Sequence, residues 1–217
     1  RMQATGMAPD LGTYNTLILA AKKVNNLDTA FQLFHEMQTA GIPPDARTYT
    51  NLISCCKRAG DYMQALEVYR SMVAAGLKAQ PVTYNMLISM VARDGKWKKA
   101  LQLFEIMETK SSVVPDISTY NILINGCRKG NQPGMALMLF ERLPRKGLAP
   151  NLQTYTAVLG ALCKAGHVDK AAQLFEQLKA SGIRDTPASL YTTVLHAHGK
   201  AARWELALET LRDMQQA

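Results

Sequence analysis

A cation recurs at a constant offset along this chain. Nine residues after each of Tyr14, Tyr49, Tyr84, Tyr120, Tyr155 and Tyr191 stand Lys23, Arg58, Arg93, Lys129, Lys164 and Lys200. Lys and Arg make up 25 of 217 residues, so chance would fill all six positions only about once in several hundred thousand trials. One cation per repeating unit suits a polymer with evenly spaced phosphates. Cations in the last turn of a helix also favour the helix dipole, and the two explanations are compatible. Lys22, Lys57 and Arg128 add a second charge beside three of them.

A second recurring group lies directly after each tyrosine: Asn15, Thr50, Asn85, Asn121, Thr156 and Thr192. Every one is a small hydrogen-bonding residue set off the apolar stripe, and so expected to point away from the core. The last residue of each repeat is Asp45, Gln80, Asp116, Asn151 or Pro187. Asp and Asn there suit an N-cap of the next helix. Gln80 and Pro187 suit capping poorly, so the position has a further use. Side chains of this kind can hydrogen-bond the Watson–Crick edges of unstacked bases, one base per helical repeat.

No reaction centre is legible. His196 and His198 are two apart, hence on different helix faces and a poor metal pair; His35 and His167 are isolated. Cys55, Cys56, Cys127 and Cys163 have no C-x-x-C spacing and read as small buried thiols, which suits a reducing compartment. No paired carboxylates, nucleophile motif or glycine-rich phosphate loop stands out. The expectation is a non-enzymatic binding protein with no metal, no cofactor and no small-molecule substrate. No apolar run reaches the roughly 18–20 residues that span a bilayer, so no membrane partner is expected. The net charge of +8 favours a polyanion.

The elements that position these groups follow from the tyrosine spacing, whose steps are 35, 35, 36, 35 and 36 residues. A fixed period of this size predicts stacked structural repeats. Repeats 1 to 5 cover residues 11–45, 46–80, 81–116, 117–151 and 152–187, and an incomplete repeat 6 covers 188–217. Residues 1–10 match the tail of an earlier repeat, so the chain reads as a fragment of a longer one. Each repeat predicts two helices. The first carries an apolar stripe such as Tyr14/Leu17/Ile18/Ala21 or Tyr84/Leu87/Ile88/Val91; in the last copy His198 stands where an apolar residue is expected. The second helix places a small residue at Ala30, Ala65, Ala100, Ala136, Ala171 and Ala207, with Phe34, Tyr69, Phe104, Phe140, Phe175 or Leu211 four residues on. Glycines such as Gly60, Gly95 and Gly166 fit the break between the two helices. A helix pair is too short to bury its own stripe, so neighbours must stack. The predicted fold is one continuous all-α solenoid, a right-handed superhelix with one concave face. An array without capping repeats exposes apolar end faces, which leaves end-to-end self-association open.

Thr13-Tyr14-Asn15-Thr16-Leu17-Ile18, Ala30, Leu33-Phe34, Met37, Gly41 and Pro44-Asp45 together resemble the pentatricopeptide repeat, and the resemblance runs along nearly the whole chain. The tetratricopeptide repeat, with its 34-residue period and its Trp and Gly-Tyr signature, fits less well. The uniform lengths resemble the plain array class. The resemblance implies sequence-selective binding of single-stranded RNA, in chloroplasts or mitochondria, in RNA stability, processing or translation. It also implies that the residue after the tyrosine and the last residue of the repeat jointly select a base. Asn15/Asp45 and Asn85/Asp116 then imply U, and Asn121/Asn151 implies C or U. Thr50/Gln80 and Thr156/Pro187 retain a purine preference, and Thr192 lacks its partner. The family further uses the position two before the tyrosine to sandwich bases; here it is Gly12, Arg47, Val82, Ser118, Gln153 and Ser189, an uneven set. The rival readings are a protein-interaction scaffold, which has no use for one cation per repeat, and the RNA-binding part of an enzyme.

Overall fold

The computed structural model describes residues 9–109, 111, 113–183 and 186–216. The segment 1–8, read above as the tail of an earlier repeat, lies outside the described residues. The described residues form twelve helices and no strand: α1 (Leu11–Lys23), α2 (Leu27–Thr39), α3 (Ala46–Ala59), α4 (Tyr62–Ala74), α5 (Pro81–Arg93), α6 (Trp97–Thr109), α7 (Ile117–Lys129), α8 (Pro133–Arg145), α9 (Leu152–Lys164), α10 (Val168–Ala180), α11 (Ala188–Lys200) and α12 (Trp204–Gln216). This is an all-α solenoid of helix pairs. The chain divides into two compact units, Arg1–Val91 with Gln102–Val114, and Ala92–Leu101 with Pro115–Ala217.

Local chemistry sets the helix ends. Asp10, Asp45, Asp116 and Asn151 each accept a hydrogen bond from the backbone N–H of the threonine three residues on, which caps α1, α3, α7 and α9. Pro187 before α11 makes no such bond. Within each pair the chain turns through one left-handed residue, eleven places after the tyrosine. Glycine fills it at Gly60, Gly95 and Gly166, but Asn25, Asn131 and Ala202 hold the same conformation with φ of 56°, 54° and 55°. Asn tolerates this region; for Ala202 the Cβ makes it unfavourable. The turn is closed by bonds such as Asp61 N–H to Cys56 C=O (3.0 Å) and His167 N–H to Leu162 C=O (2.9 Å).

Stacking follows the predicted stripes. In the first unit α1 packs on α2 and α3, and α3 on α4; in the second, α9 contacts α7, α8, α10 and α11. Ile18, Leu52, Ile53, Ala30 and Ala65 are fully buried in the first unit, as are Ile124, Ala136, Leu139 and Val158 in the second. At four junctions the aromatic of a second helix meets the tyrosine of the next pair edge to face: Phe34–Tyr49 at 5.5 Å, Tyr69–Tyr84 at 5.7 Å, Phe140–Tyr155 at 5.1 Å and Phe175–Tyr191 at 5.3 Å between centroids. Such pairs contribute about 0.5–1.5 kcal/mol beyond their buried area. Two stripe residues differ from expectation: Leu211 of α12 is 41 % exposed, and Leu17 is the other. Leu17 is 44 % exposed although its counterpart Leu52 is fully buried, because that side of a first helix packs on the preceding pair and no helix precedes α1 among the described residues. Cys55, Cys56 and Cys127 are buried free thiols and Cys163 is half-buried. Burial pushes Cys56 up to about 12 and Cys127 and Cys163 to about 11, so they are protonated and unreactive at neutral pH.

Two positions give stability tests. A Cβ on Gly126 of α7 would lie 2.7 Å from Ala92 Cβ, whereas one on Gly134 of α8 would meet nothing within 4 Å. Gly126→Ala should therefore destabilise by about 1–3 kcal/mol through overpacking, despite its gain in helix propensity, while Gly134→Ala should be neutral or stabilising. Urea unfolding separates them, and equal effects would refute the close approach at Gly126. His198 of α11 is buried, with Nδ1 unpartnered among the described residues. Burial, with the Arg203 charge adding to it and Glu209 opposing, lowers its pKa below the usual 6.5. A depressed pKa means the unfolded chain binds the proton first, so stability is full above about pH 6.5 and falls as pH drops toward the folded pKa. His198→Val should flatten the stability profile between pH 5 and 7; an unchanged profile would reject His198 as its source.

Candidate nucleic-acid interface

Charge separates by helix type. The six first helices (α1, α3, α5, α7, α9, α11) carry ten Lys or Arg and no Asp or Glu, whereas the second helices carry eight against eleven. The recurring cations Lys23, Arg58, Arg93, Lys129, Lys164 and Lys200 are all exposed, each at the last or penultimate residue of a first helix. That is also where a cation best meets the dipole, so the two explanations coincide in place.

In the first unit Asn15 Nδ2 donates to Asp45 Oδ1 at 3.4 Å. The same Oδ1 accepts from the Thr48 backbone N–H at 2.7 Å and from Thr48 Oγ1 at 2.8 Å. Burial alone would raise the Asp45 pKa, but these bonds from Thr48 and Asn15 outweigh it and hold the carboxyl below its ordinary value. Asp45 is therefore an anion at neutral pH, with Oδ2 outside these bonds. In the second unit Asn121 Nδ2 donates to Asn151 Oδ1 at 3.2 Å and to Gln153 Oε1 at 3.4 Å, and Thr154 Oγ1 donates to Asn121 Oδ1 at 2.7 Å. The residue after the tyrosine thus meets the last residue of its own repeat in both units. The expectation that these asparagines point away from the core is corrected. Asn15 and Asn121 are only 7 % and 5 % exposed, because the start of the next first helix lies over that side and its cap residue takes the amide.

The threonines at this position behave differently. Thr50, Thr156 and Thr192 donate their hydroxyls to carbonyls one turn back, Ala46, Leu152 and Ala188, at 2.7–2.9 Å. The proton is spent, so the lone pairs can only accept. Thr50 Oγ1 also lies 3.1 Å from Thr83 Oγ1. Asn85 is half-buried on α5, Gln80 is exposed before it, and Asp116 is exposed as the cap of α7. The residues two before each tyrosine, Gly12, Arg47, Val82, Ser118, Gln153 and Ser189, are all exposed, Val82 by 51 %.

Each unit has a groove built from these positions. In the first, about 290 Å³ is lined by Gly12, Asn15, Asp45 and Arg47 with Leu11, Thr16 and Leu19. In the second, about 820 Å³ is lined by Asn121, Asn151, Thr156 and Pro187, by Gln153 and Ser189, and by Lys164. Lys129 does not line it; Asn125, Arg128 and Gly160 do. The sequence reading missed Asn125 and Gly160 and named Arg128 only as an added charge; it also missed the capping role of the threonine before a tyrosine, which closes the capping boxes Asp45–Thr48, Asp116–Thr119 and Asn151–Thr154. The Asp/Asn-x-x-Thr spacing was the available signal for the threonines.

Comparison with known proteins identifies the family. The pentacotripeptide-repeat region of PRORP matches residues 50–216 and the PPR repeat family matches residues 9–58. The chain belongs to the pentatricopeptide repeat family. Among solved structures it is similar to maize PPR10 (22 % identity, covering 99 % of this chain and 35 % of that one, TM-score 0.69). It is similar to PPR10 in complex with an 18-nt psaJ RNA element (25 % identity, 96 % and 30 % covered, TM-score 0.71). It also resembles the PPR domain of Arabidopsis thaliana protein-only RNase P 1 in complex with tRNA (20 % identity, 76 % and 86 % covered, TM-score 0.67). The chain spans about a third of the length of PPR10. No curated protein matches.

The Thr154 hydroxyl is fully buried and is the proton donor to Asn121 Oδ1. Thr154→Val should leave that acceptor unmet and destabilise by about 1–3 kcal/mol. Thr13→Val, whose hydroxyl bonds the exposed Asp10 carboxylate, should cost less. Denaturant midpoints of the two variants compare them, and equal losses would argue against the buried network.

Proposed function

We propose that this chain holds single-stranded RNA extended along its first helices, one base to each helix pair, without catalysing a reaction on it. The observation that carries this reading is the pairing of reading residues at the edge of a groove on an acid-free helix face, repeated in both compact units. Asp45 offers carboxylate lone pairs, the partner that uracil N3–H requires. Asn151 keeps an amide Nδ2 donor, which suits the N3 acceptor of cytosine. The threonine hydroxyls, able only to accept, suit the exocyclic or ring N–H donors of purines. The implied site reads, 5′ to 3′, U–purine–U–pyrimidine–purine–purine. The exposed cations Lys23, Arg58, Arg93, Lys129, Lys164 and Lys200 would follow the backbone phosphates. By this reading Gly12, Arg47, Val82, Ser118, Gln153 and Ser189 flank the bases, with Arg47 and Val82 supplying most of the stacking surface. A chloroplast or mitochondrial role in RNA stability, processing or translation follows from family membership.

Relatives of the same fold support the class of partner: one PPR10 structure holds an 18-nt RNA element and one RNase P repeat domain holds tRNA. A protein-interaction scaffold would give no reason for the absence of carboxylates from the first helices. A second reading, the RNA-holding part of a larger enzyme, is favoured by the match to the PRORP repeat region over residues 50–216.

Selection from a random RNA pool tests the proposal. Unstructured oligonucleotides carrying the implied site should be enriched, with affinity falling at a log–log salt slope of roughly −3 to −4. Enrichment of folded, tRNA-like species instead would favour the second reading, and a slope near zero would sink the phosphate contacts.

A further inference from the structure

The groove along α7, α9 and α11 contains a group of residues used neither by the recurring cations nor by the base-reading pairs. Arg128 sits one place before Lys129, yet it is Arg128 that lines the groove, together with Lys164 of α9. Its side chain is held. Nε donates to Asn125 Oδ1 one turn back at 2.9 Å, which spends the Nε–H and leaves the two terminal nitrogens. Its stem lies over Gly160 of α9, where an added Cβ would stand 3.2 Å from Arg128 Cδ. Gly160 is four residues before Lys164, so one helix face both makes room for the arginine and supplies the second cation. No other repeat has an Asn–Arg pair at these positions; repeat 1 reads Leu19/Lys22 and repeat 2 reads Ser54/Lys57.

We infer that Arg128 and Lys164 form a two-cation clamp for a single backbone phosphate between repeats 4 and 5, with Asn125 and Gly160 as its positioning residues. The guanidinium presents a planar fork to the two non-bridging oxygens of a phosphodiester, and the ammonium adds a point charge. Fixing Nε in advance reduces what the arginine loses on binding. The array is then uneven: this junction grips the backbone harder than those served by a lone cation, and it sets the register of the bound strand. The inference rests on the proposed RNA interface but needs no base reading.

Fluorescence anisotropy with two probes of equal length tests it, one the implied RNA site and one a stable abasic sugar–phosphate oligomer. Arg128→Ala should weaken both probes about five- to tenfold and reduce the magnitude of the salt slope by about 0.7. Lys129→Ala should weaken them less. Arg128→Lys keeps the charge but loses the Asn125 bond, and should weaken binding about threefold. Gly160→Leu introduces the residue that repeat 1 carries as Leu19. It should hold or raise the melting temperature while lowering affinity, a split that a purely structural role would not produce. Equal effects of Arg128→Ala and Lys129→Ala, or unchanged affinity in Gly160→Leu, would overturn the clamp. If Arg128→Ala binds like the wild type while Asn121→Ala still alters base preference, the clamp falls and the RNA reading stands. If Arg128→Ala weakens both probes and Asn121→Ala alters no preference, base reading falls and the clamp stands. A wild-type chain that binds neither probe refutes both.

Discussion

The edge-to-face contact between the aromatic of one helix pair and the tyrosine that opens the next is the constraint on which the rest depends. A pair of thirteen-residue helices cannot bury its own apolar stripe, so its remaining face must be met by a neighbour. Phe34 receives Tyr49 and Phe140 receives Tyr155 at 5.5 and 5.1 Å. Tyr49 and Tyr155 also donate their backbone N–H groups to the carbonyls of Asp45 and Asn151. Seating the ring therefore seats the cap, and the cap is the residue that meets Asn15 or Asn121. Core packing and groove chemistry are two ends of one short stretch of helix.

Capping and the proposed recognition share atoms. In the Asp45 cap a single carboxylate oxygen takes the Thr48 backbone, the Thr48 hydroxyl and the Asn15 amide. In the Asn151 cap the amide oxygen likewise takes the Thr154 backbone and the Asn121 amide and lies 2.9 Å from the Thr154 hydroxyl, and that hydroxyl is also 2.7 Å from Asn121 Oδ1. Exchanging Asp for Asn at the end of a repeat thus changes which groups remain toward the groove, not only the local charge. Pro187, which caps nothing by its side chain, leaves Thr156 without such a partner. A residue position can be explained by helix capping and still differ between repeats for a second reason.

The recurring cations have the same double character. Each stands in the last turn of a first helix, where the dipole favours it, and the first helices carry no carboxylate that would neutralise it. Carboxylates are instead abundant on the second helices, where Asp169 pairs with Arg203, and Asp213 with Lys179 at 2.7 Å. Charge is thereby sorted between two faces of one small helix pair.

Much of this was legible in the sequence because the repeat samples each position six times. The tyrosine period located the pairs, the 3.6-residue stripe assigned Ile18, Ile53 and Ile124 to the core, and recurring Asp or Asn and glycine positions marked the helix ends. These are properties of one helix and its immediate neighbours in the chain, where backbone geometry alone relates residues. What only the tertiary structure decided lies between helices. It buried Asn15 and Asn121 under the next cap, exposed Leu17, before which no helix pair stands among the described residues, and turned Arg128 rather than Lys129 into the groove over Gly160. Adjacent residues on a helix differ by about 100° in direction. Which of two neighbouring cations faces the groove is therefore set by where the next helix lies and by whether it leaves room, and sequence spacing carries neither.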